Sequence, residues 1–155
     1  MRRTERELGQ WEEIRSVLEH CRVCRIGLQD EEGMYIVPLN FGWEMQGEEL
    51  NLYFHSAREG RKLRAIATNP QVAFEMDTGH RLMPSEEPCG WSFRYESLIG
   101  NGVAQLVEDP AEKCRALSLL MRCQTKSAFS FTPQQAAGVA VIRLRVTRVT
   151  GKANR

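Results

Sequence analysis

The sequence predicts a mainly β protein, a β-barrel with a few peripheral helices. About six segments have the alternation of strands, most of them follow one another through short turns, and only about three segments have helical periodicity. Such an order favours a barrel over a parallel α/β sheet, in which helices would regularly separate the strands. Because 155 residues most simply form one domain, we expect a single domain over 1–155, with an N-terminal helix over about 4–21 and the barrel over about 22–150.

The first predicted element is an amphipathic helix, because apolar residues recur at helical spacing from Leu8 to Cys21. After Cys21, the apolar residues recur at every second position, as in a strand. RVCRIGLQ predicts a strand, DEEG a turn, and MYIVPLNFGWE one longer strand with a large apolar face. Pro38 cannot donate a ladder hydrogen bond, so we expect it at a sheet edge or bulge, beside a surface where a flat ligand could lie.

A third strand, ELNLYFHS, leads into a basic helix. We predict this helix from about Glu59 to Thr68, with Arg58, Arg61 and Lys62 on one face of its first turns. Positive charge near a helix N-terminus opposes the macrodipole by about 0.3–1 kcal/mol per charge. These cations therefore indicate either an anion site or a solvated basic face, and the pattern alone favours neither over the other.

The second half of the chain predicts further strands and helices. QVAFEMD is a strand, 78–90 a loop, and SFRYESLIGNGVAQLVE a long strand in which Gly100 and Gly102 indicate a bulge or a close backbone approach. Asp109-Pro110 with Glu112 marks a helix start. A short helical or loop segment near TPQQAAG precedes the last strand, VAVIRLRVTRV.

Composition and charge exclude several classes of protein. The formal net charge is only +1, whereas a general polyanion binder has a strong basic excess, so we expect no nucleic-acid partner. No apolar run approaches the roughly 18 residues that span a bilayer, and the first residues lack a signal-peptide core. We therefore expect a cytoplasmic protein without a membrane partner.

The five cysteines lack the spacing of a disulfide framework and predict reduced thiols. Cys21 and Cys24 form a CxxC pair, but a structural zinc site needs four ligands and no second pair has this spacing. We interpret both as buried small side chains and predict no metal site. A zinc site or a redox dithiol is the less favoured alternative.

Four segments, in this order, resemble the pyridoxamine 5'-phosphate oxidase-like flavoprotein superfamily. They are IVPLNF at 36–41, LYFHSAREGRKL at 52–63, NPQVAFEMD at 69–77 and YESLIGNGVAQLVEDPAEK at 95–113. Within the superfamily, the sequence resembles the branch of 5-nitroimidazole resistance (Nim-type) proteins, from the first helix to VTGK near the end. The resemblance implies a split β-barrel that binds FMN at the interface of a homodimer.

The resemblance also implies the residues of the flavin site. Ser56, Arg61 and Lys62 would hold the phosphate, with Ala57 between them and Arg58 as a weaker candidate. The isoalloxazine ring would lie along the segment Val37, Pro38, Leu39 and Asn40. The second subunit would complete the pocket with Cys89, Trp91, Phe93 and Tyr95.

His55 matches the histidine of the family's YFH segment and is the candidate catalytic residue beside the flavin. A histidine changes charge near neutral pH, so it could donate a proton or orient a substrate; the alternative is a sheet histidine that only packs. The resemblance implies an FMN-dependent oxidoreductase that reduces small nitroimidazole or nitroaromatic compounds. Vitamin B6 oxidation is not predicted, because the residues after Val146 do not match the substrate-binding residues of that enzyme.

Two alternatives to this function remain open. One is a flavin-binding or flavin-sensing protein without turnover, and the other is a split barrel that holds a different cofactor, a deazaflavin or haem.

Overall fold

The computed structural model describes residues 4–155, which form one antiparallel sheet with helices around it. In chain order, the strands and α-helices are β1 (Glu7–Leu8), α1 (Trp11–His20), β2 (Val23–Asp30), β3 (Gly33–Asn40), β4 (Gly42–Gln46), β5 (Glu49–Ser56), α2 (Arg61–Thr68), β6 (Gln71–Met83), β7 (Ser92–Leu106), α3 (Pro110–Thr125), α4 (Pro133–Ala137) and β8 (Ala140–Asn154). Two short 3-10 helices span Thr4–Arg6 and Pro88–Gly90.

The strand order along the sheet is β3-β2-β6-β7-β8-β5-β4, and β1 pairs with β8. All of these pairings are antiparallel. The predicted fold class, a mainly β split barrel with peripheral helices, is confirmed. The described residues hold eight strands and four α-helices rather than about six and three.

The N-terminal helix begins at Trp11, so the predicted span of about 4–21 was wrong at its start. Glu7 and Leu8 instead pair with the end of β8. The Glu13 carboxylate accepts hydrogen bonds from the backbone N–H groups of Gly9 and Gln10 at 3.1 and 3.3 Å. This cap fixes the helix start after Gly9, which sequence periodicity could not distinguish from an earlier one.

The strand predicted over MYIVPLNFGWE is two strands, and this prediction was wrong. β3 ends at Asn40 and pairs with β2, whereas β4 begins at Gly42 and pairs with β5. Phe41, at the break, is buried in the core. The alternation continues through the break, so the apolar pattern does not reveal the change of partner strand. Pro38 lies in the edge strand β3, as predicted.

The loop predicted over 78–90 was wrong for residues 78–83, because β6 continues to Met83 and pairs with the start of β7. A register shift follows Thr78, and Gly79 has a φ of +71°, so the irregularity hides the alternation. We call this projecting hairpin, residues 78–96, the β6–β7 arm.

Three sequence predictions about local geometry are confirmed. Asp109 caps α3 by accepting a hydrogen bond from the Glu112 N–H at 2.7 Å. The β7–β8 ladder shifts register between Asn101 and Gly102. A Cβ at Gly100 would lie 2.4 Å from the Phe74 ring, so the backbone does approach its neighbour closely there.

The main core fills the barrel, and α1 packs on it through Ile14, Val17 and Leu18. Cys21 and Cys24 are buried in this core, as predicted. A second, smaller core joins α3 and α4 to the outer face of the sheet at Tyr53 and Val141. Among residues 4–155, no helix has both the length and the hydropathy needed to cross a membrane.

Candidate functional site

The predicted phosphate-binding residues lie where β5 ends and α2 begins. His55 and Ser56 extend beyond the part of β5 that pairs with β4, and they pair with Val141 and Ala140 of β8. The His55 side chain is exposed, whereas Ser56 is buried and its hydroxyl donates to the Ala57 carbonyl at 2.9 Å. Only a short loop separates this strand end from α2.

The N-terminus of α2 lacks the groups that usually cap a helix. Gly60 occupies the N-cap position with a φ of +146°, no side chain caps the helix, and its first turn contains no acid. Within the described chain, no acceptor faces the backbone N–H groups of Arg61 and Lys62. A Cβ at Gly60 would meet no atom within 4 Å. The helix start is thus open and favours an anion.

Arg61 is held in place by the β2–β3 turn. Its Nε and Nη2 atoms donate to the two carboxylate oxygens of Asp30 at 2.7 Å each, and Nη1 lies 3.6 Å from a Glu32 oxygen. The guanidinium also lies 4.0 Å from the centroid of the Tyr35 ring. The hydrogen bonds from Arg61 hold the pKa of Asp30 below its ordinary value.

Sequence reasoning missed this ion pair, because Asp30 belongs to a segment that reads only as a turn. No local spacing relates a turn residue to a helix about thirty positions later, so only the folded barrel brings the two together. The Tyr35 hydroxyl, beneath the guanidinium, is buried without a hydrogen-bond partner in the described part of the chain. Burial raises the pKa of Tyr35.

Lys62 and Arg58 differ from Arg61 in having no carboxylate partner among residues 4–155. Lys62 is half-buried in the first turn of α2, and Arg58 is exposed in the loop before it. Of the predicted phosphate-binding residues, the structure therefore brings together Ser56, Ala57 and Lys62 at an open helix start, with Arg61 beside them in an ion pair.

The segment predicted to bind the flavin ring forms the end of the edge strand β3. Val37 and Leu39 face the core, whereas Pro38 and Asn40 are exposed on the outer face. The Asn40 amide donates to the Arg22 carbonyl at 2.9 Å, which ties the end of β3 to the start of β2. An edge strand leaves one row of backbone groups unpaired, and a planar ring with polar edges could bind along that row.

The residues predicted to come from a second subunit lie on the β6–β7 arm. Trp91 and Phe93 are about half exposed, at 49% and 46%, and Cys89 is exposed in the turn of the arm. Tyr95 pairs with Asn154, whereas α2 lies near the opposite end of β7, where the Ala104 N–H donates to the Pro70 carbonyl at 2.8 Å. Nine strand residues at about 3.3 Å each separate these two ends. The structure does not bring the arm to the α2 site within one chain.

A cavity of about 370 Å³ opens beside the junction of β5 and α2. It lies between α2, the start of α3, α4 and the start of β8. Ten of its thirteen lining residues are apolar, and the three charged ones are Arg58, Glu108 and Lys113. The Lys113 ammonium donates to the Val139 carbonyl at 2.8 Å.

The CxxC cysteines do not contribute a reactive site. Burial raises the pKa of Cys21 to about 12, and burial likewise raises the pKa of Cys24. Both therefore remain protonated near neutral pH and behave as small apolar side chains. Within residues 4–155, no cluster of His, Cys, Asp and Glu has the arrangement of a metal site.

Comparison with known proteins decides the family. Residues 10–153 match the family described as pyridoxamine 5'-phosphate oxidase. The chain belongs to the pyridoxamine 5'-phosphate oxidase family. No curated protein matches the chain.

Solved structures agree with this membership. A candidate 5-nitroimidazole antibiotic resistance protein from Bacteroides thetaiotaomicron is 33% identical, with a TM-score of 0.81 over 96% of this chain and 90% of that one. The FAD- and haem-binding protein from Mycobacterium smegmatis is 19% identical, with a TM-score of 0.79 over 97% of this chain and 74% of that one. The flavocytochrome Anf3 from Azotobacter vinelandii is 16% identical, with a TM-score of 0.78 over 96% and 69%. The last two likenesses show the fold.

Proposed function

We propose that this member of the pyridoxamine 5'-phosphate oxidase family is an FMN-dependent oxidoreductase that reduces small nitroaromatic or nitroimidazole compounds. The observation that supports it most is the open N-terminus of α2, with the unpaired Lys62 and the buried Ser56 beside it. This donor set suits a terminal phosphate, because helix N–H groups and a lysine ammonium both favour phosphate oxygens. The family and the 33% identity to a candidate 5-nitroimidazole resistance protein support the choice of cofactor and substrate.

The proposal assigns residues of the chain to each part of FMN. Lys62 and the N–H groups at the start of α2 would hold the phosphate, and Ser56 would join them by turning its single O–H donor away from the Ala57 carbonyl. Arg61 would add positive charge from its fixed position on Asp30. The exposed edge of β3 at Pro38 and Asn40 would bind the planar ring. When bound, FMN would accept a hydride from a reduced nicotinamide and supply two electrons which, with two protons, convert a nitro group to a nitroso group and water.

His55 is the candidate proton donor for this reaction. It is exposed at the end of β5, next to Ser56, so it can contact a small molecule bound beside the phosphate-binding residues. An imidazole can deliver a proton near neutral pH, and a positioned donor typically accelerates proton transfer by about 10²- to 10⁴-fold.

We also propose a homodimer in which each flavin site includes residues of both subunits. The outer face of β3 and β7 carries exposed apolar side chains, with Met34, Ile36 and Ile99 exposed by 82%, 70% and 58%. Ile36 pairs with Gly27, which pairs with Ala73, so small residues follow Ile36 across β2 and β6. Exposed apolar surface of this kind marks protein interfaces. The partner's β6–β7 arm would then supply Cys89, Trp91, Phe93 and Tyr95.

The visible spectrum and a turnover assay test this function. We expect the purified protein to bind added FMN with the absorption bands of an oxidised flavin, and to oxidise a reduced nicotinamide only when a nitro compound is present. Bound flavin that no acceptor reoxidises would support the alternative of a flavin-binding protein without turnover. A Soret band, or a protein that does not bind FMN, would contradict the proposal.

A further inference from the structure

The cavity between α2, α3 and α4 has the size and lining of a small-molecule site. Its volume of about 370 Å³ falls at the lower end of the range for such sites, roughly 300–1,000 Å³. The apolar part of the wall comes from α2, β7, α3, α4, β8 and their connecting loops and includes Leu63, Val107, Pro133, Ala136, Val139 and Val141. Ligand sites of this kind bind an apolar body and orient it through a few polar groups.

The charged groups of the cavity favour an anionic ligand. Arg58 is exposed and has no carboxylate partner among residues 4–155, so its guanidinium is available to a ligand. Lys113 adds a second positive charge, and its ammonium is oriented by the Val139 carbonyl at 2.8 Å. Glu108 is the opposing acid in the lining, so the cavity carries two cations and one anion. A monoanion on an apolar body satisfies this arrangement better than a cation does.

The cavity also lies next to the candidate proton donor. Val141 and Ala140 form part of its wall, and in the β5–β8 ladder they pair with His55 and Ser56. Directly paired residues of an antiparallel ladder lie about 4.5–5.5 Å apart. A ligand in the cavity is therefore separated from His55 by little more than one strand spacing.

We propose that this cavity binds the acceptor substrate, and that the substrate is a small aromatic carboxylate whose carboxylate contacts Arg58. The identification of the ligand as a substrate rests on the proposed function. Binding in the cavity does not, because no flavin atom is needed to form it. The two ideas can therefore fail separately.

Isothermal titration of the FMN-loaded and flavin-free protein tests the proposal, with 4-nitrobenzoate and the uncharged 4-nitrobenzamide as matched probes. We expect the carboxylate to bind the wild-type protein about tenfold more tightly, as a charge-assisted contact predicts. Arg58→Gln should remove this preference, whereas Arg64→Gln, an exposed cation of α2 outside the cavity lining, should keep it. Equal binding of both probes by the wild type, or no binding, would overturn the proposal.

A second pair of variants tests the location. Ala137 is exposed and lines the cavity, so Ala137→Trp should fill it and abolish binding of both probes. Ala128→Trp, at an exposed alanine outside this cavity, should not. Probe binding that survives Ala137→Trp in a protein with an unchanged melting temperature would overturn the proposal. If Arg58→Gln lost as much affinity for FMN as for 4-nitrobenzoate, the proposal would also be overturned, because Arg58 would then bind the FMN phosphate.

The wild-type protein separates this proposal from the flavin function. If it binds the probes in the cavity but does not bind FMN, only the flavin function is contradicted.

Discussion

Asp30 determines what Arg61 can do at the start of α2. Two hydrogen bonds of 2.7 Å fix the guanidinium on the Asp30 carboxylate, so the nitrogen that does not bond Asp30 is Nη1, 3.6 Å from Glu32. Arg61 therefore adds a positive charge at a fixed position beside an anion site, and it cannot turn its Nε and Nη2 atoms to a ligand without breaking the hydrogen bonds to Asp30. Lys62, which has no such partner in the described chain, is the cation in the first turn of α2 that can move onto a ligand.

The Asp30–Arg61 pair predicts a pH dependence of stability. Because the pKa of Asp30 is lowered in the folded protein, its contribution is fully present above the unfolded aspartate value of about 3.9 and is lost as the pH falls through the lower folded value. We expect the free energy of unfolding, measured in urea between pH 6 and pH 3, to fall more steeply for the wild type than for Asp30→Asn. Glu31→Gln, at an exposed neighbouring acid, should follow the wild type. Parallel curves for wild type and Asp30→Asn would show that the pair does not contribute.

His55 carries the second prediction at the scale of single residues. His55→Gln keeps a polar side chain but cannot donate a proton near neutral pH, so we expect kcat for a nitro compound to fall by about 10²-fold with FMN affinity unchanged. His20→Gln, at an exposed histidine at the end of α1, is the control. An unchanged kcat in His55→Gln would leave His55 with only a packing role.

Among the elements, β4 shows most clearly how the fold departs from the sequence pattern. Its start at Gly42 packs directly on α3, and a Cβ there would lie 2.6 Å from the Leu120 Cα atom. Alternation alone could not reveal this contact, because it depends on a helix about eighty residues later. The sequence shows a glycine at position 42, but it does not show the close contact with α3 that excludes a larger residue there.

Gly42→Ala should therefore separate packing from strand propensity. We expect a loss of about 1–3 kcal/mol in the free energy of unfolding, since backbone atoms of α3 must move to admit the methyl group. Gly27→Ala is the matched control, because its Cβ would meet Ala73 at an ordinary 3.8 Å. Similar urea midpoints for the two variants would mean that α3 can shift without cost.

Local signals predicted some elements well and others poorly. The cap at Asp109, the end of α2 before Pro70 and the bulge near Gly102 follow from residue chemistry within a few positions, and the structure contains all three. The break at Phe41, the strand that continues to Met83 and the Asp30–Arg61 pair depend on contacts between distant segments. The candidate site follows the same rule: the sequence predicts the basic junction, but not the cavity beside it.

At the scale of the whole molecule, the outer face of the sheet exposes apolar side chains that nothing covers within the described part of one subunit. Ile36 on β3 and Ile99 on β7 lie on this face with 70% and 58% of their surface exposed. The Arg25 ion pairs with Glu75 and Asp77 lie on the two strands between them, β2 and β6. Exposed apolar side chains on either side of charges that pair with each other mark a protein interface. A second copy of this chain would cover it.

This arrangement predicts that dimerisation and flavin binding are linked. We expect the wild type to sediment as a dimer, and the double variant Ile36→Lys with Ile99→Lys to sediment as a monomer with weakened FMN binding. Phe129→Lys, at an exposed aromatic residue after α3, should remain dimeric. A wild-type monomer that holds FMN tightly would contradict the shared site.

The central claim, that the start of α2 binds the phosphate of FMN, is tested most directly by comparing FMN with riboflavin. Flavin fluorescence titrations would measure both dissociation constants for the wild type, Lys62→Ala and Arg64→Ala. The account predicts that Lys62→Ala weakens FMN by about 10-fold or more, as a charge-assisted phosphate contact of about 1.5–3 kcal/mol requires, with riboflavin unchanged and Arg64→Ala like the wild type. Equal weakening of FMN and riboflavin, or no preference for FMN in the wild type, would contradict it.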